Sequence, residues 1–252
     1  MTAVCRSDED VAFLAERVAA MRQVLVLTGA GISRASGLPT YRGEGGIYQD
    51  THIADLHQAD RLPGSLPELW AFWGPRRATI ADALPNDGHR AIARLQQRAR
   101  ADGRSVTLAT QNVDDLHERA GSPQVAHLHG RLMTTRCLDS TCSYGVREDA
   151  VPYDDAPPTC PVCGQPLRPA VVLFGETLDV DAQWTARCAV READLLLAVG
   201  TSVEVSTASV LLRYAVDVGA RTVTVDPAPE VSSLFDVHVP LPAETVLPRL
   251  LG

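Results

Sequence analysis

The chain contains no lysine: all 23 of its basic residues are arginine. A lysine Schiff base and a phosphate-loop lysine are thereby excluded, and the protein offers no lysine side chain that could itself be acylated. No apolar run approaches the roughly 18 residues that a membrane-spanning helix requires. The first 22 residues mix acids and arginines, without the roughly 7–15-residue apolar core of a secretion signal, so a cytoplasmic location is expected. Internal repeats and low-complexity tracts are missing too. Cations are outnumbered by anions, for a net charge of −8. Non-specific nucleic-acid binding, which needs clustered cations against phosphates, is therefore not expected, nor is a membrane partner. The bias toward arginine and alanine is that of a GC-rich bacterial genome.

The 252 residues are 45 % hydrophobic and 21 % charged, which suits one large domain or a large domain with small inserts. Val11 to Met21 has helical spacing, with Val11, Leu14, Ala15 and Val18 on one side. Four short apolar runs then end in the same way. Val24–Leu27 stops at Thr28-Gly29-Ala30-Gly31, and Val106–Leu108 runs into Thr110-Gln111-Asn112. Leu195–Val199 reaches Gly200-Thr201-Ser202, and Thr222–Val225 reaches Asp226-Pro227. Short apolar runs between helical segments predict buried parallel strands in an α/β domain. Small polar residues gathered at their C-terminal ends predict one ligand site at that edge of the sheet, although turn chemistry alone also favours such residues there.

Two stretches break the pattern. Residues 42–88 are rich in glycine and proline around a helix candidate at Leu69–Ile80, and residues 131–170 hold four of the six cysteines. Cys137-x4-Cys142 and Cys160-x2-Cys163 have the paired spacing of a Zn²⁺ site. Four thiolates leave no open coordination position, so that metal would be structural. Cys5 and Cys188 stand alone and read as free thiols.

Gly29-Ala30-Gly31-Ile32-Ser33 is a strand-to-helix turn that lets the backbone approach a pyrophosphate. It is not the usual dinucleotide fingerprint, because Arg34 takes the place of the third glycine and no carboxylate follows about 20 residues on. Thr110-Gln111-Asn112-Val113-Asp114 gathers amides and carboxylates at a strand end. His129 lies where a cleft would form beside the cysteine insert, but His127 is two residues away and spacing does not choose between them.

In this order, the segments resemble the sirtuin family, the NAD-dependent protein deacylases, from Val24 to about Pro248. Gly37-Leu38-Pro39-Thr40-Tyr41-Arg42-Gly43, His129-Gly130, Val172-Leu173-Phe174-Gly175-Glu176 and Gly200-Thr201-Ser202 complete the set. The resemblance implies a Rossmann-like parallel-sheet domain formed by residues 1–41, 89–130 and 171–252. A helical insert at 42–88 and a zinc-binding insert at 131–170 would interrupt it. It implies that Gly29, Ala30, Gly31 and Ser33 hold the pyrophosphate of NAD, that Arg42 and Tyr48 line a loop closing over it, and that Gln111, Asn112 and Asp114 surround nicotinamide and its ribose. Gly200, Thr201 and Ser202 would contact phosphate and ribose, Asp226 the adenosine ribose, and Ala243 the adenine. His129 rather than His127 would be the general base. Val172, Phe174, Gly175 and Glu176 would pair with an extended acyl-lysine peptide by strand addition, and Cys137, Cys142, Cys160 and Cys163 would hold one structural Zn²⁺.

The implied chemistry starts with the acyl oxygen attacking the ribose carbon that bears nicotinamide. After nicotinamide leaves, His129 draws a proton from the ribose hydroxyls so that one of them attacks the acyl carbon. Water then releases free lysine and acyl-ADP-ribose. Thr40, where many members carry aspartate, is the pattern of the class III subgroup. In that subgroup a Tyr-x-x-Arg pair binds the carboxylate of succinyl or malonyl lysine; here the positions are Trp73 and Arg76. Some removal of acidic acyl groups is therefore expected beside deacetylation, against the simpler reading that Trp73 packs in a core with Trp70 and Phe72 while Arg76 and Arg77 are solvated. Asp226 for asparagine, Leu173 for tryptophan, Ala170 for a polar residue and Tyr41 for phenylalanine depart from the family's usual pattern. Two rival functions remain: a non-catalytic NAD- or ADP-ribose-sensing zinc module, and a protein mono-ADP-ribosyltransferase.

Overall fold

A computed structural model describes residues 2–41, 45–154, 156–201, 203, 206–229 and 231–252, together with the backbone but not the side chain of Ser206 within them. In chain order the elements are β1 (Ala3–Val4), α1 (Asp8–Ala20), β2 (Gln23–Thr28), α2 (Thr51–Leu56), α3 (Leu66–Asp82), α4 (Asp87–Ala101), β3 (Ser105–Thr110), α5 (Leu116–Arg119), β4 (Ala126–His127) and β5 (Gly130–Cys137). There follow β6 (Val146–Glu148), β7 (Leu167–Val171), α6 (Val180–Arg191), β8 (Leu195–Val199), α7 (Ser206–Asp217), β9 (Arg221–Val225), β10 (Val237–Val239) and α8 (Ala243–Leu251). None of the described helices is long and apolar enough to cross a membrane.

A seven-stranded sheet runs in the order β1-β10-β9-β8-β2-β3-β4, and every pair is parallel. Alternation along β2 sends Val24 and Val26 into a core with α1, α4 and α8, and Leu25 and Leu27 into a second core with α6 and α7. This is the doubly covered parallel sheet that continuous apolar strands require. The four expected strands are its centre, β9-β8-β2-β3. The expected first helix begins at Asp8, three residues before its apolar stripe, because Ser7 and Asp10 form a reciprocal capping box.

The sheet's register positions the site. Thr28 is level with Thr110 on one side and Val199 on the other; Thr110 is level with His127, and Val199 with Val225. The four central strands and β4 therefore end on one line. The chain leaves β2 toward β3 and β4 but later fills β8, β9 and β10 on the opposite side. The order thus reverses between β2 and β8, where open α/β sheets form their ligand crevice.

The cysteine-bearing stretch differs from its expected irregularity. It contains a three-stranded antiparallel sheet, β6-β5-β7, with a register irregularity between Arg131 and Thr135. The helix candidate extends at both ends into the 17-residue α3, and it is locked to this sheet. Trp70 donates its indole N–H to the Leu167 carbonyl at 2.9 Å. At Gly74, a Cβ would lie 1.6 Å from the Tyr153 carbonyl oxygen, so only glycine permits the approach. Arg77, solvated in the simpler reading of this helix, is completely buried: its guanidinium donates to the Val151 and Thr134 carbonyls at 2.8 and 3.1 Å, with Asp149 at 3.6 Å. A buried guanidinium needs such acceptors, and they come from 57 and 74 residues away.

Candidate functional site

Each central strand is followed at once by a glycine or a polar residue of the predicted site: Gly29 after β2, Gln111 after β3, Gly200 after β8 and Asp226 after β9. The glycines mesh at the switch point. Gly29 N–H donates to the Val199 carbonyl at 3.0 Å and Gly31 N–H to the Gly200 carbonyl at 2.9 Å. A Cβ on Gly31 would approach Gly200 Cα to 2.6 Å, and Gly200 has φ +59°, so side chains cannot be added on either side. The turn continues as a 3-10 helix from Ala30 to Ser36 rather than an α-helix. Ala30 is half-buried at its start, and Ile32 and Ser33 are buried.

From β3's end a chain of hydrogen bonds crosses to this turn. Asn112 donates its amide to the Gly29 carbonyl (3.1 Å) and to Ser33 Oγ (3.3 Å), and Ser33 donates to Asp114 Oδ2 (3.1 Å). Gln111 donates to Thr201 Oγ1 at 2.8 Å, joining the ends of β3 and β8. Asp114 is buried, and burial pushes its carboxyl up to about 6, against the lowering effect of the Leu116 N–H and the Ser33 hydroxyl. Perturbed carboxyl groups of this kind gather at functional sites. Sequence reading missed the layer beneath: Thr28 donates to Thr110 Oγ1 at 2.8 Å and lies 2.9 Å from His117 Nε2, all fully buried.

The two candidate histidines are now distinct. His127 belongs to β4 and is engaged at both nitrogens: Nε2 lies 2.6 Å from Glu118, and Nδ1 lies 3.2 Å from the Asn112 carbonyl. Burial alone would raise the Glu118 carboxyl, but the hydrogen bond and charge of His127 outweigh it and hold it below its usual range. His129 lies in the turn after β4, half-buried, with Nδ1 3.0 Å from the Gln111 carbonyl. A carbonyl only accepts, so Nδ1 carries the proton and the lone pair of the neutral ring is on Nε2.

Ala30, Ser33, Tyr41, Ile47, Arg76 and Asp114 help to line a cavity of about 30 Å³, room for roughly one water molecule. Arg76 reaches it from α3. It stacks over the Phe72 ring at 3.6 Å, donates to the Phe72 carbonyl at 2.7 Å, and has a buried Nε with no hydrogen-bond partner. Burial lowers its pKa, while the Tyr41 and Tyr48 hydroxyls act the other way. Trp73 is 2 % exposed in the aromatic core, with Trp70 and Phe72 as the simpler reading expects, yet its indole N–H is likewise unpartnered. Tyr48 packs edge-on against Phe174 (5.2 Å) and His57 (5.4 Å).

The segment expected to bind an extended peptide is mostly committed to its own chain. Val172 N–H donates to the His129 carbonyl, Phe174 N–H to His57, and Leu173 N–H to the Glu176 carboxylate, while the Phe174 carbonyl accepts from Ala59. Glu176 also pairs with Arg168 at 2.7 Å. Among the described residues, the Val172, Gly175 and Glu176 carbonyls and the Gly175 N–H make no backbone hydrogen bond. Asp226 accepts from Ala228 N–H at 2.9 Å. The Ala243 methyl is buried in the core, which leaves the backbone at the start of α8 as the group it could offer a ligand. Arg42 and Ser202 lie outside the described residues.

The four cysteine sulfurs lie within 4.8 Å of one another, with Cys137–Cys163 at 3.4 Å and Cys142–Cys160 at 3.8 Å. Tetrahedral Zn–S bonds of about 2.3 Å set sulfurs about 3.8 Å apart, so the donor set and spacing fit one structural Zn²⁺.

The Sir2 family model matches residues 29–207. An NAD-dependent protein deacylase of Thermus thermophilus is 40 % identical over 214 residues, 85 % of this chain and 83 % of that protein. NAD-dependent protein deacylase 1 of Pseudomonas aeruginosa is 40 % identical over 245 residues, covering 94 % and 96 %. Among solved structures, a Sir2 homologue–NAD complex superposes with a TM-score of 0.85 at 31 % identity, covering all of this chain and 94 % of the other.

Proposed function

The chain belongs to the Sir2 family, and from that premise we propose that it is an NAD-dependent protein deacylase, moving acyl groups from lysine side chains of other proteins to the ribose of NAD. The observation that carries this reading is the placement of the two histidines: His127 is held inside the sheet by Glu118 and the Asn112 carbonyl, whereas His129 lies in the turn beyond β4, where the Gln111 carbonyl holds Nδ1 and makes Nε2 the basic nitrogen.

When bound, NAD supplies the electrophilic ribose carbon, the nicotinamide leaving group and the hydroxyl that receives the acyl group. The meshed turn of Gly29, Ala30, Gly31 and Gly200 brings backbone close to the pyrophosphate. Ser33, Asn112 and Asp114 form a pre-linked polar wall for nicotinamide and its ribose, and Gln111 and Thr201 brace that wall. Asp226 accepts from the adenosine ribose, and the backbone at Ala243 meets the adenine. Tyr48 lines the side that closes over NAD. His129 takes a proton at Nε2, a role that suits imidazole near neutral pH. Val172, Gly175 and Glu176 offer the remaining backbone groups to the peptide, beside the Phe174 side chain.

The proposal includes the acyl group. Trp73 Nε1 and Arg76 Nε are buried donors without partners, and such donors are costly unless something satisfies them. A carboxylate on the acyl chain would do so, which supports removal of succinyl or malonyl groups beside acetyl. A cytoplasmic location without nucleic-acid partners belongs to the same proposal.

The test is to incubate the protein with NAD and acetylated or succinylated peptides and follow the products by mass spectrometry. Equal amounts of nicotinamide, free lysine and acyl-ADP-ribose are expected. ADP-ribose left on a protein would favour the transferase reading, and binding without nicotinamide release would favour the sensor.

A further inference from the structure

A second pocket lies outside the cavity that holds Asp114. It has a volume of about 320 Å³, and its walls are Leu62 and Pro63 before α3, Arg136 to Leu138 at the end of β5, Ser140, Arg168 on β7, and Glu176. That volume falls in the range of small-ligand sites.

Its charge is unbalanced. Arg136 and Arg168 are directly opposite each other in the β5–β7 ladder, where like charges destabilise a sheet. Arg168 is 3 % exposed and pairs through Nη2 with Glu176 and the Val171 carbonyl, but its buried Nε has no partner. Arg136 is half-buried and makes no side-chain hydrogen bond or ion pair among the described residues. Glu176 is the single acid among the lining residues, and it is already held by Arg168 and by the Leu173 N–H. Among these side chains two guanidiniums face one carboxylate, the buried Arg168 Nε is unpartnered, and Arg136, which acts on Glu176 through its charge and adjoins the cysteine cluster, makes no hydrogen bond among the described residues. Pro63 and Leu62 add an apolar side against which methylenes can lie.

We propose that this pocket binds the carboxylate of an acidic side chain in the substrate polypeptide, so that Arg136 selects acyl-lysines flanked by aspartate or glutamate. Glu176 ties the pocket to the peptide segment: the same carboxylate that lines it holds the Leu173 amide, between Val172 and Gly175. A side chain a few residues from the acyl-lysine can therefore reach Arg136. This assignment rests on the deacylase reading for its substrate. A free anion such as phosphate shares the chemistry but has no attachment to the cleft.

The experiment compares kcat/KM on acetyl-lysine peptides carrying glutamate or glutamine at each flanking position, for the wild type, Arg136→Gln and Arg136→Glu, with peptide affinities measured by calorimetry and zinc content by metal analysis. A half-buried charge-assisted bond lies between an exposed ion pair and a buried one, so glutamate should be favoured by about 5- to 20-fold at one or two positions. Arg136→Gln should abolish the preference without slowing uncharged peptides, and Arg136→Glu should transfer it to arginine-bearing peptides. Equal wild-type rates and affinities for glutamate and glutamine peptides overturn the proposal. So does an Arg136→Gln variant that loses zinc while keeping the preference, since Arg136 would then only balance the thiolates. Inorganic phosphate that raises the melting temperature while no peptide preference exists also overturns it. If the wild type releases no nicotinamide from any acyl peptide, the deacylase reading fails by itself. The calorimetric difference still decides the pocket: a glutamate preference removed by Arg136→Gln supports it, and its absence rejects it.

Discussion

Asp114→Asn should make the protein more stable at neutral pH and less stable in acid. Burial pushes the Asp114 carboxyl up to about 6, roughly two units above an unperturbed aspartate, and each unit is about 1.4 kcal/mol. The folded chain therefore holds this proton more tightly than the unfolded chain. The resulting penalty is absent below about pH 4, grows as pH rises toward 6, and is complete above it at about 3 kcal/mol. Asparagine removes the penalty. Its carbonyl can still accept from Leu116 N–H, but the Ser33 hydroxyl, now at 3.1 Å from Asp114 Oδ2, loses one acceptor at a cost of about 1 kcal/mol. The net gain near pH 7.5 is about 2 kcal/mol, or roughly 4–8 °C in melting temperature for a chain of this size. Near pH 4 only the lost hydrogen bond remains, so the sign reverses. His89, pushed down to about 4 by burial, and the still more deeply buried His117 have the opposite pH dependence. Both are present in either protein and cancel in the difference. Thermal melts of the two proteins from pH 4 to 8 measure it, and a difference that stays constant across that range refutes the argument. Turnover should fall in the same variant, because a buried carboxylate of this cost is the kind of group an active site retains at the expense of stability.

His129→Ala should slow deacylation by about 10²–10⁴-fold and leave NAD affinity nearly unchanged, whereas His127→Ala should mainly lower the melting temperature by stranding Glu118; turnover that survives the first change but not the second would reverse the assignment. Metal analysis should find one zinc per chain, and replacing any of Cys137, Cys142, Cys160 or Cys163 by serine should remove it and destabilise the surrounding sheet; protein purified without zinc would contradict the site. Arg76→Met should reduce kcat/KM for succinyl peptides by roughly tenfold or more relative to acetyl peptides, and equal losses on both would mean that Arg76 does not read the acyl charge.

The parts of the fold that were legible have a common physical cause. β2 and β8 read as unbroken apolar runs, and β3 and β9 as apolar runs interrupted by threonine, because their C-terminal halves are buried in the sheet; the small and polar residues that follow mark the ligand edge. β1, β4 and β10 have two or three residues each, too few to produce a pattern. The sheet beside the cysteine cluster escaped because its strands mix arginine, threonine and proline, and alternation is lost. The two histidines could not be separated by spacing because residues two apart share one face of a strand. The strand ends between them, so His127 stays in the ladder while His129 turns toward Gln111. Arg77 was unreadable for a different reason: adjacent residues on a helix are about 100° apart, so Arg76 can face a cavity while Arg77 is covered, and the covering chain is distant in sequence.

That last arrangement shows how a metal held by the four cysteines would bear on the cavity that contains Arg76 and Asp114. The cysteine cluster fixes the ends of β5 and β7. β5 presents the Thr134 carbonyl to Arg77, the loop after β6 presents the Val151 carbonyl, and Tyr153 fills the space that Gly74 leaves open. All three contacts fall on one turn of α3, and the next face of that turn is Arg76 in the cavity with Ser33 and Asp114. If the sheet loosens, a buried guanidinium loses its acceptors, and that costs several kcal/mol unless α3 shifts to expose it. Such a shift moves Arg76 and with it the wall facing Asp114. A zinc bound by the four cysteines would need no open coordination position to influence turnover: it would hold the acceptors that hold the helix that carries Arg76.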